Sequence, residues 1–131
     1  MTPTRRLAHW IGRLGPPLLL MGVIFYLSAQ PHLRTDLGTI DLVGRKFVHM
    51  VEFGLLWFLW LRALGWRGHA PWTAAAIAFG YAISDEFHQS FVDGRQGSVR
   101  DVLIDSAGVA LAAVAWLRVR PRLRRRRAVA A

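Results

Sequence analysis

The 131-residue chain contains no cysteine, which excludes a disulfide-stapled scaffold. Acidic residues are also scarce: Asp+Glu number 8 against Lys+Arg 17, for a net charge of +9. All the acids lie between Asp36 and Asp105, so both ends of the chain and the stretch 62–71 have none. Internal repeats and low-complexity segments are missing apart from a basic C-terminal run. Apolar side chains, by contrast, are abundant. They make up 53% of the chain before its 12 glycines are counted, where ordinary soluble domains reach about 45–50% with glycine included. That richness excludes a disordered chain, and the length argues against more than one soluble domain.

A chain that is both apolar and basic raises the question of where its charge sits. Four apolar stretches occur, at about Pro16–Ala29, Phe47–Leu64, Pro71–Phe91 and Val102–Leu117. Each approaches the roughly 20 residues a helix needs to cross a ~30 Å hydrocarbon core, although none is free of polar groups. A soluble bundle would need a polar stripe on every helix. The runs Trp72–Ile83 and Gly54–Leu61 offer almost none. A small domain cannot bury four such helices completely. The reading is therefore an all-α, four-span transmembrane helical bundle.

Orientation follows from the basic residues. Arg5, Arg6 and Arg13 precede the first stretch, Arg62 and Arg67 join the second to the third, and arginines run from Arg118 to Arg127 after the fourth. This places both termini in the cytoplasm of a multi-pass membrane protein. Residues 1–15 are expected as a basic cytoplasmic N-terminus, 16–117 as the membrane domain and 118–131 as an Arg-rich cytoplasmic tail. Arg5-Arg6 followed by an apolar run and Leu27-Ser28-Ala29 also suits a cleavable signal peptide, but Pro16-Pro17 and the abutting Arg13 count against it. The two prolines fit the first turn of a span, where a missing N–H costs little. The arginine tail follows a span directly and has no aromatic stacking surface, so it reads as an anchor for anionic lipid and not as a nucleic-acid arm.

Polar residues at membrane depth are costly and mark function by default. Lys46, His49 and Glu52 share one stripe of the second helix. The third ends in Asp85-Glu86-Phe87-His88-Gln89, where Asp85 and Gln89 can share a face. Arg95 and Arg100 sit in the following connection. Ser98-x-x-Asp101 resembles a capping box that would start the fourth helix at Ser98, with Asp105 one turn beyond Asp101. Ser28 and Gln30 end the first stretch. Four segments thus bring polar groups to one depth, near the outer surface.

The strings Phe25-Tyr-Leu-Ser-Ala-Gln-Pro31, Lys46-x-x-His49-x-x-Glu52-Phe53, Asp85-Glu86-x-His88-Gln89-x-Phe91-x-x-Gly94-Arg95 and Asp101-Val-Leu-Ile-Asp105-x-x-Gly108 resemble, in this order, the VanZ-like family of small bacterial membrane proteins. The resemblance spans about residues 16–117. It implies a helical membrane bundle. Because the family's namesake is associated with teicoplanin resistance, it also implies a link to glycopeptide susceptibility. Two positions depart from the pattern: Phe53 stands where the aromatic is often Tyr, and Asp105 where Asn is common.

Several chemistries fit these residues. Glu86, His49 and Glu52 are the candidates for proton transfer in catalysis. Lys46, Asp85, His88, Gln89, Arg95, Asp101 and Asp105 are the candidates for ligand binding. Lys46 and Arg95 suit the anionic head group of an envelope lipid. His49, Glu52, Glu86 and His88 are metal-ligand types, but no HExxH or His-x3-His spacing accompanies them. No cofactor is indicated. The competing reading is a non-catalytic protein whose polar cluster only locks the helices together. The cytoplasmic half of each stretch is apolar, which argues against a continuous polar path and hence against a channel. Gly54, Gly80 and Gly108 are expected to allow close helix contact.

Overall fold

The computed structural model describes residues 2–30, 39–93, 95 and 97–129. Four helices form: α1 (Pro3–Ser28), α2 (Thr39–Leu64), α3 (Ala70–Gln89) and α4 (Val99–Val129). Among the described residues there is no strand. The connection over 31–38, and Gly94 of the Asp93-Gly94 turn, lie outside the described residues. Three segments are long and apolar enough to cross a membrane: Pro3–Ser28, Val43–Leu64 and Val99–Pro121. The shortest has 22 residues, about 33 Å at 1.5 Å per residue. The expected fourth span, α3, falls outside this group. It has 20 residues, is rich in alanine, and ends in Asp85, Glu86 and His88.

α2 and α3 form the centre. α1 packs on both, α4 packs on both from the other side, and α1 and α4 do not meet among the described residues. The core is built from Phe53, Leu56, Trp57 and Leu61 of α2, Ile24 of α1 and Val109 of α4. Against them lies a stripe on α3 at every fourth residue, Ala70, Ala74, Ala78 and Ala82. Residues four apart share a helix face, and methyl side chains let the neighbouring backbones approach closely. The stripe continues into Asp85, Glu86 and Gln89, which are buried on the same face. Large apolar side chains elsewhere point outward, among them Leu19, Phe47, Trp72 and Leu111, as a lipid-facing surface requires.

α2 and α4 cross most tightly at glycine. A Cβ on Gly54 would lie 3.0 Å from the Gly108 carbonyl oxygen, and one on Gly108 would run into the Met50 backbone. Gly80 differs from its expected role, since a Cβ there would meet nothing within 4 Å. It lies on an exposed face of α3, turned away from the other helices by the alanine stripe.

The α2–α3 connection is a Schellman turn. Trp66 N–H donates to Leu61 O at 3.2 Å and Gly65 N–H to Arg62 O at 3.3 Å. Gly65 has φ +93°, which glycine adopts without a Cβ penalty. Trp66 follows at φ +66° and is held by ring contacts with Phe58 and Trp116 at 5.2 and 4.9 Å. Trp57 Nε1 closes the hairpin by donating to Pro71 O at 3.1 Å.

α1 begins well before the expected span, and Pro16 and Pro17 lie inside it instead of in its first turn. A proline inside a helix leaves the carbonyl four residues back without its donor. Here those carbonyls belong to Gly12 and Arg13. Arg62 of α2 donates from Nη2 to Gly12 O at 2.5 Å. In return Arg13 Nε donates to Ala63 O at 2.9 Å, one of the carbonyls left open in the last turn of α2. Each helix thus lends an arginine to a carbonyl of the other, at Gly12 and at Ala63. The Arg-rich C-terminal run is likewise a continuation of α4, which reaches Val129 past Pro121.

Candidate functional site

The polar residues gather where α1 and α3 end and α2 and α4 begin. Two hydrogen-bonded networks meet there. The first joins α1 to α3. Ser28 Oγ donates to Asp85 Oδ2 at 2.8 Å, and Gln89 Nε2, one turn along α3, donates to the same oxygen at 2.8 Å. Arg95 binds the frame from the loop: Nη1 donates to Gln89 Oε1 at 3.4 Å, Nε to Gln30 O at 3.1 Å and Nη2 to Leu27 O at 3.4 Å. It thereby satisfies carbonyls at the C-terminal end of α1. Tyr81 Oη ties the same two helices one level deeper, donating to Met21 O at 2.5 Å.

The second network joins α2 to α4. Lys46 Nζ pairs with Asp101 Oδ1. One turn deeper, His49 Nδ1 faces Asp105 Oδ1 at 3.6 Å. Residues 46 and 49 of α2 thus meet 101 and 105 of α4 rung by rung, above the Gly54–Gly108 crossing. The His49 imidazole turns to Asp105 across the helix interface, while Glu52 accepts no hydrogen bond among the described residues.

Glu86 connects α3 to α4. Its Oε2 accepts from Ser98 N–H at 2.7 Å. Ser98 is the N-cap of α4: its Oγ accepts from Arg100 N–H at 3.2 Å. The start of the fourth helix is thus as its sequence signals, but the capping box is completed differently. Asp101, the expected reciprocal partner, is engaged by Lys46, and Glu86 accepts from the cap N–H instead. Gly97 makes this approach possible, because a Cβ there would collide with the Glu86 carbonyl.

His88 stacks on Phe25 with ring centroids 4.1 Å apart. Among the described residues, three site atoms are buried without a hydrogen-bond partner: Asp85 Oδ1, Asp105 Oδ2 and His88 Nδ1. Asp85 and Asp105 are each 1% exposed. The carboxylates of Glu52, Asp85 and Asp105 lie within electrostatic range of His49. Asp85, Asp101 and Asp105 lie within range of Glu86. Among the described residues no three His, Asp or Glu are arranged to hold a metal ion.

All ten sequence candidates therefore fall at one end of the bundle; Asp85 and Gln89 pair as their spacing suggests, while Lys46, His49, Asp101 and Asp105 find their partners across helices. Ser28 belongs to the first network and was not among them. Its signal was its position in the Phe25–Pro31 string at the end of α1.

No curated protein and no solved structure matches the chain. The VanZ/LLP1 family model matches residues 14–120, which include all four strings, the crossing glycines and every residue of both networks. With three helices of membrane-spanning length and this match over most of its sequence, the chain belongs to the VanZ/LLP1 family of membrane proteins.

Proposed function

We propose that this is a four-span protein of the bacterial inner membrane, with both termini in the cytoplasm, that holds a cell-envelope ligand in the polar end of its bundle. The orientation rests on Arg5, Arg6, Arg13, Arg62 and Arg67 and the arginines after Trp116, all at the end opposite the polar site. The third helix completes the fourth crossing, its alanine face buried against α2. The ligand reading rests on one observation. Asp85 and Asp105 are 1% exposed, yet each keeps one carboxylate oxygen without a partner. A buried acceptor left unmet costs about 1–3 kcal/mol, more when charged. Such an atom is retained where something else fills its valence.

Ligand binding at this depth supports a role in how envelope lipids or teicoplanin-type glycopeptides reach their targets. Proton transfer on a bound group would fall to His49 or Glu86, with Glu52 beside them. A second reading, in which the cluster only locks the helices, draws on the Lys46–Asp101 and Ser28–Asp85 pairs. It leaves the two open oxygens without a purpose.

The test compares cells carrying wild type, His49→Ala, Asp85→Asn, Glu86→Gln and Arg95→Ala at equal membrane levels. Sensitivity to lipoglycopeptides and to envelope stress is measured. The site reading expects loss of the wild-type phenotype in these variants while the protein stays folded. Full activity in all four sinks it.

A further inference from the structure

The open valences of the site's carboxylates have one sign. Its two principal cations are already engaged: Lys46 by Asp101, and Arg95 by Gln89 and two carbonyls of α1. Among the described residues the unmet atoms of the site are the carboxylate oxygens Asp85 Oδ1 and Asp105 Oδ2, which as carboxylates can only accept, and the ring nitrogen His88 Nδ1. The two carboxylates lie within electrostatic range of each other and of Glu52 and Glu86. An anionic head group entering here would add negative charge to acceptors that already lack donors. Protonating either carboxylate does not close the account: on Asp85 the proton falls on Oδ1, because Oδ2 already accepts two bonds, and becomes an unmet donor, while on Asp105 a proton on Oδ1 facing His49 leaves Oδ2 an unmet carbonyl oxygen. A metal ion does not fit the arrangement, since no three acidic or histidine groups converge on one point among the described residues. A compact group with several N–H donors and a positive charge complements these oxygens. A primary ammonium has three donors and no acceptor, and its hydrogen bonds to carboxylates are charge-assisted.

We propose that the site recognises a ligand through a protonated primary amine, seated between Asp85 of α3 and Asp105 of α4, where each of the two buried carboxylates has an open oxygen. The proposal rests on the ligand-site reading above and gives it a chemistry. The amine can be carried by a lipid head group or by a soluble amino sugar. In either case the cations at the rim act as positioning groups: Lys46 holds Asp101 aside, and Arg95 orients Gln89, which in turn fixes Asp85.

The experiment uses the full chain in phosphatidylcholine nanodiscs, with glucosamine, glucose and glucose 6-phosphate as soluble probes read by thermal shift. Native mass spectrometry from discs of equal phosphatidylethanolamine and phosphatidylglycerol reads the lipid retained. The proposal expects stabilisation by glucosamine at concentrations at least about tenfold below those of glucose, or retention of phosphatidylethanolamine over phosphatidylglycerol. Response to glucosamine without lipid selection assigns the amine to a soluble ligand, and the reverse assigns it to a lipid. Asp85→Asn and Asp105→Asn should each weaken the preferred probe by about tenfold or more, while Asp93→Asn on the exposed loop leaves it unchanged. Glu52→Gln removes a nearby charge and breaks no hydrogen bond of the networks. It should also weaken the amine, which keeps the test decisive where an aspartate variant does not fold. Preference for glucose 6-phosphate or phosphatidylglycerol overturns the amine and leaves a ligand site standing. Binding of no probe at all overturns the amine too. If Asp85→Asn and Asp105→Asn then also retain full cellular activity, the ligand reading falls with it.

Discussion

Adding one methyl group at Gly108 should separate the two helices that carry the His49–Asp105 and Lys46–Asp101 pairs. An ideal Cβ at this position lies 2.8 Å from the Met50 carbonyl carbon and 3.0 Å from its Cα. Every obstructing atom is backbone, so no side chain can rotate away. Overpacking a tight core costs about 1–3 kcal/mol, and this contact belongs at the upper end, near 3 kcal/mol. Gly54→Ala is milder. Its Cβ meets the Gly108 carbonyl oxygen at 3.0 Å and Ala112 Cβ at 3.5 Å, so a shift of a few tenths of an ångström suffices and about 1 kcal/mol is expected. Gly80→Ala points into open space and should stabilise by about 0.5–1 kcal/mol, the ordinary gain for alanine over glycine within a helix. One substitution type thus spans a sign change set only by position. Unfolding in SDS–detergent mixtures, followed by tryptophan fluorescence, gives the three free energies. A Gly108→Ala variant within about 0.5 kcal/mol of wild type, or an order other than Gly108, Gly54, Gly80, would refute the proposed α2–α4 crossing.

Arg62→Ala should destabilise the protein by about 1 kcal/mol by removing the donor to Gly12 O. Pro16→Ala in the same background restores an N–H to that carbonyl and should recover the loss in the same unfolding assay; no recovery means that the proline does not explain the arginine. Ser28→Ala leaves Asp85 Oδ2 with Gln89 as its remaining donor and should cost about 1–2 kcal/mol, read as a lower midpoint at unchanged helix content by circular dichroism. Alkaline phosphatase, active only outside the cytoplasm, should be active when fused after Gln30 and after Asp93, and inactive after Gly68. The opposite pattern reverses the orientation.

Much of this was legible in the chain because it depends on local spacing. The apolar stretches locate the helices. The Asp85–Gln89 pair follows from a four-residue separation, and Ser98 declares its cap by its place before Val99. The pairings between helices were not legible. That Asp101 turns to Lys46 and not to its own cap, or that His49 meets Asp105 and not Glu52, depends on which helices are neighbours, and spacing along one helix carries no such information. Gly80 and Gly108 look alike in sequence, and only the packing separates an exposed glycine from one at a crossing. The long α1 was hidden for a similar reason. Pro16-Pro17 signals a helix start, and the donor that overrides the signal comes from Arg62, far along the chain.

The exchange of caps between Arg13 and Arg62 also has a consequence for biogenesis. When α1 leaves the ribosome, the Gly12 carbonyl has neither a helix donor nor its arginine, because Arg62 lies at the far end of a helix not yet made. Until then this carbonyl, at the exposed basic end of α1, has only solvent for a donor. It gains a donor from the protein only when the second hairpin arm arrives, and Arg13 in turn meets the Ala63 carbonyl in the last turn of that arm. The two arms are therefore expected to settle together. A chain truncated before Arg62 should leave α1 loosely held and open to membrane proteases, whereas one extended past Gly68 should protect it.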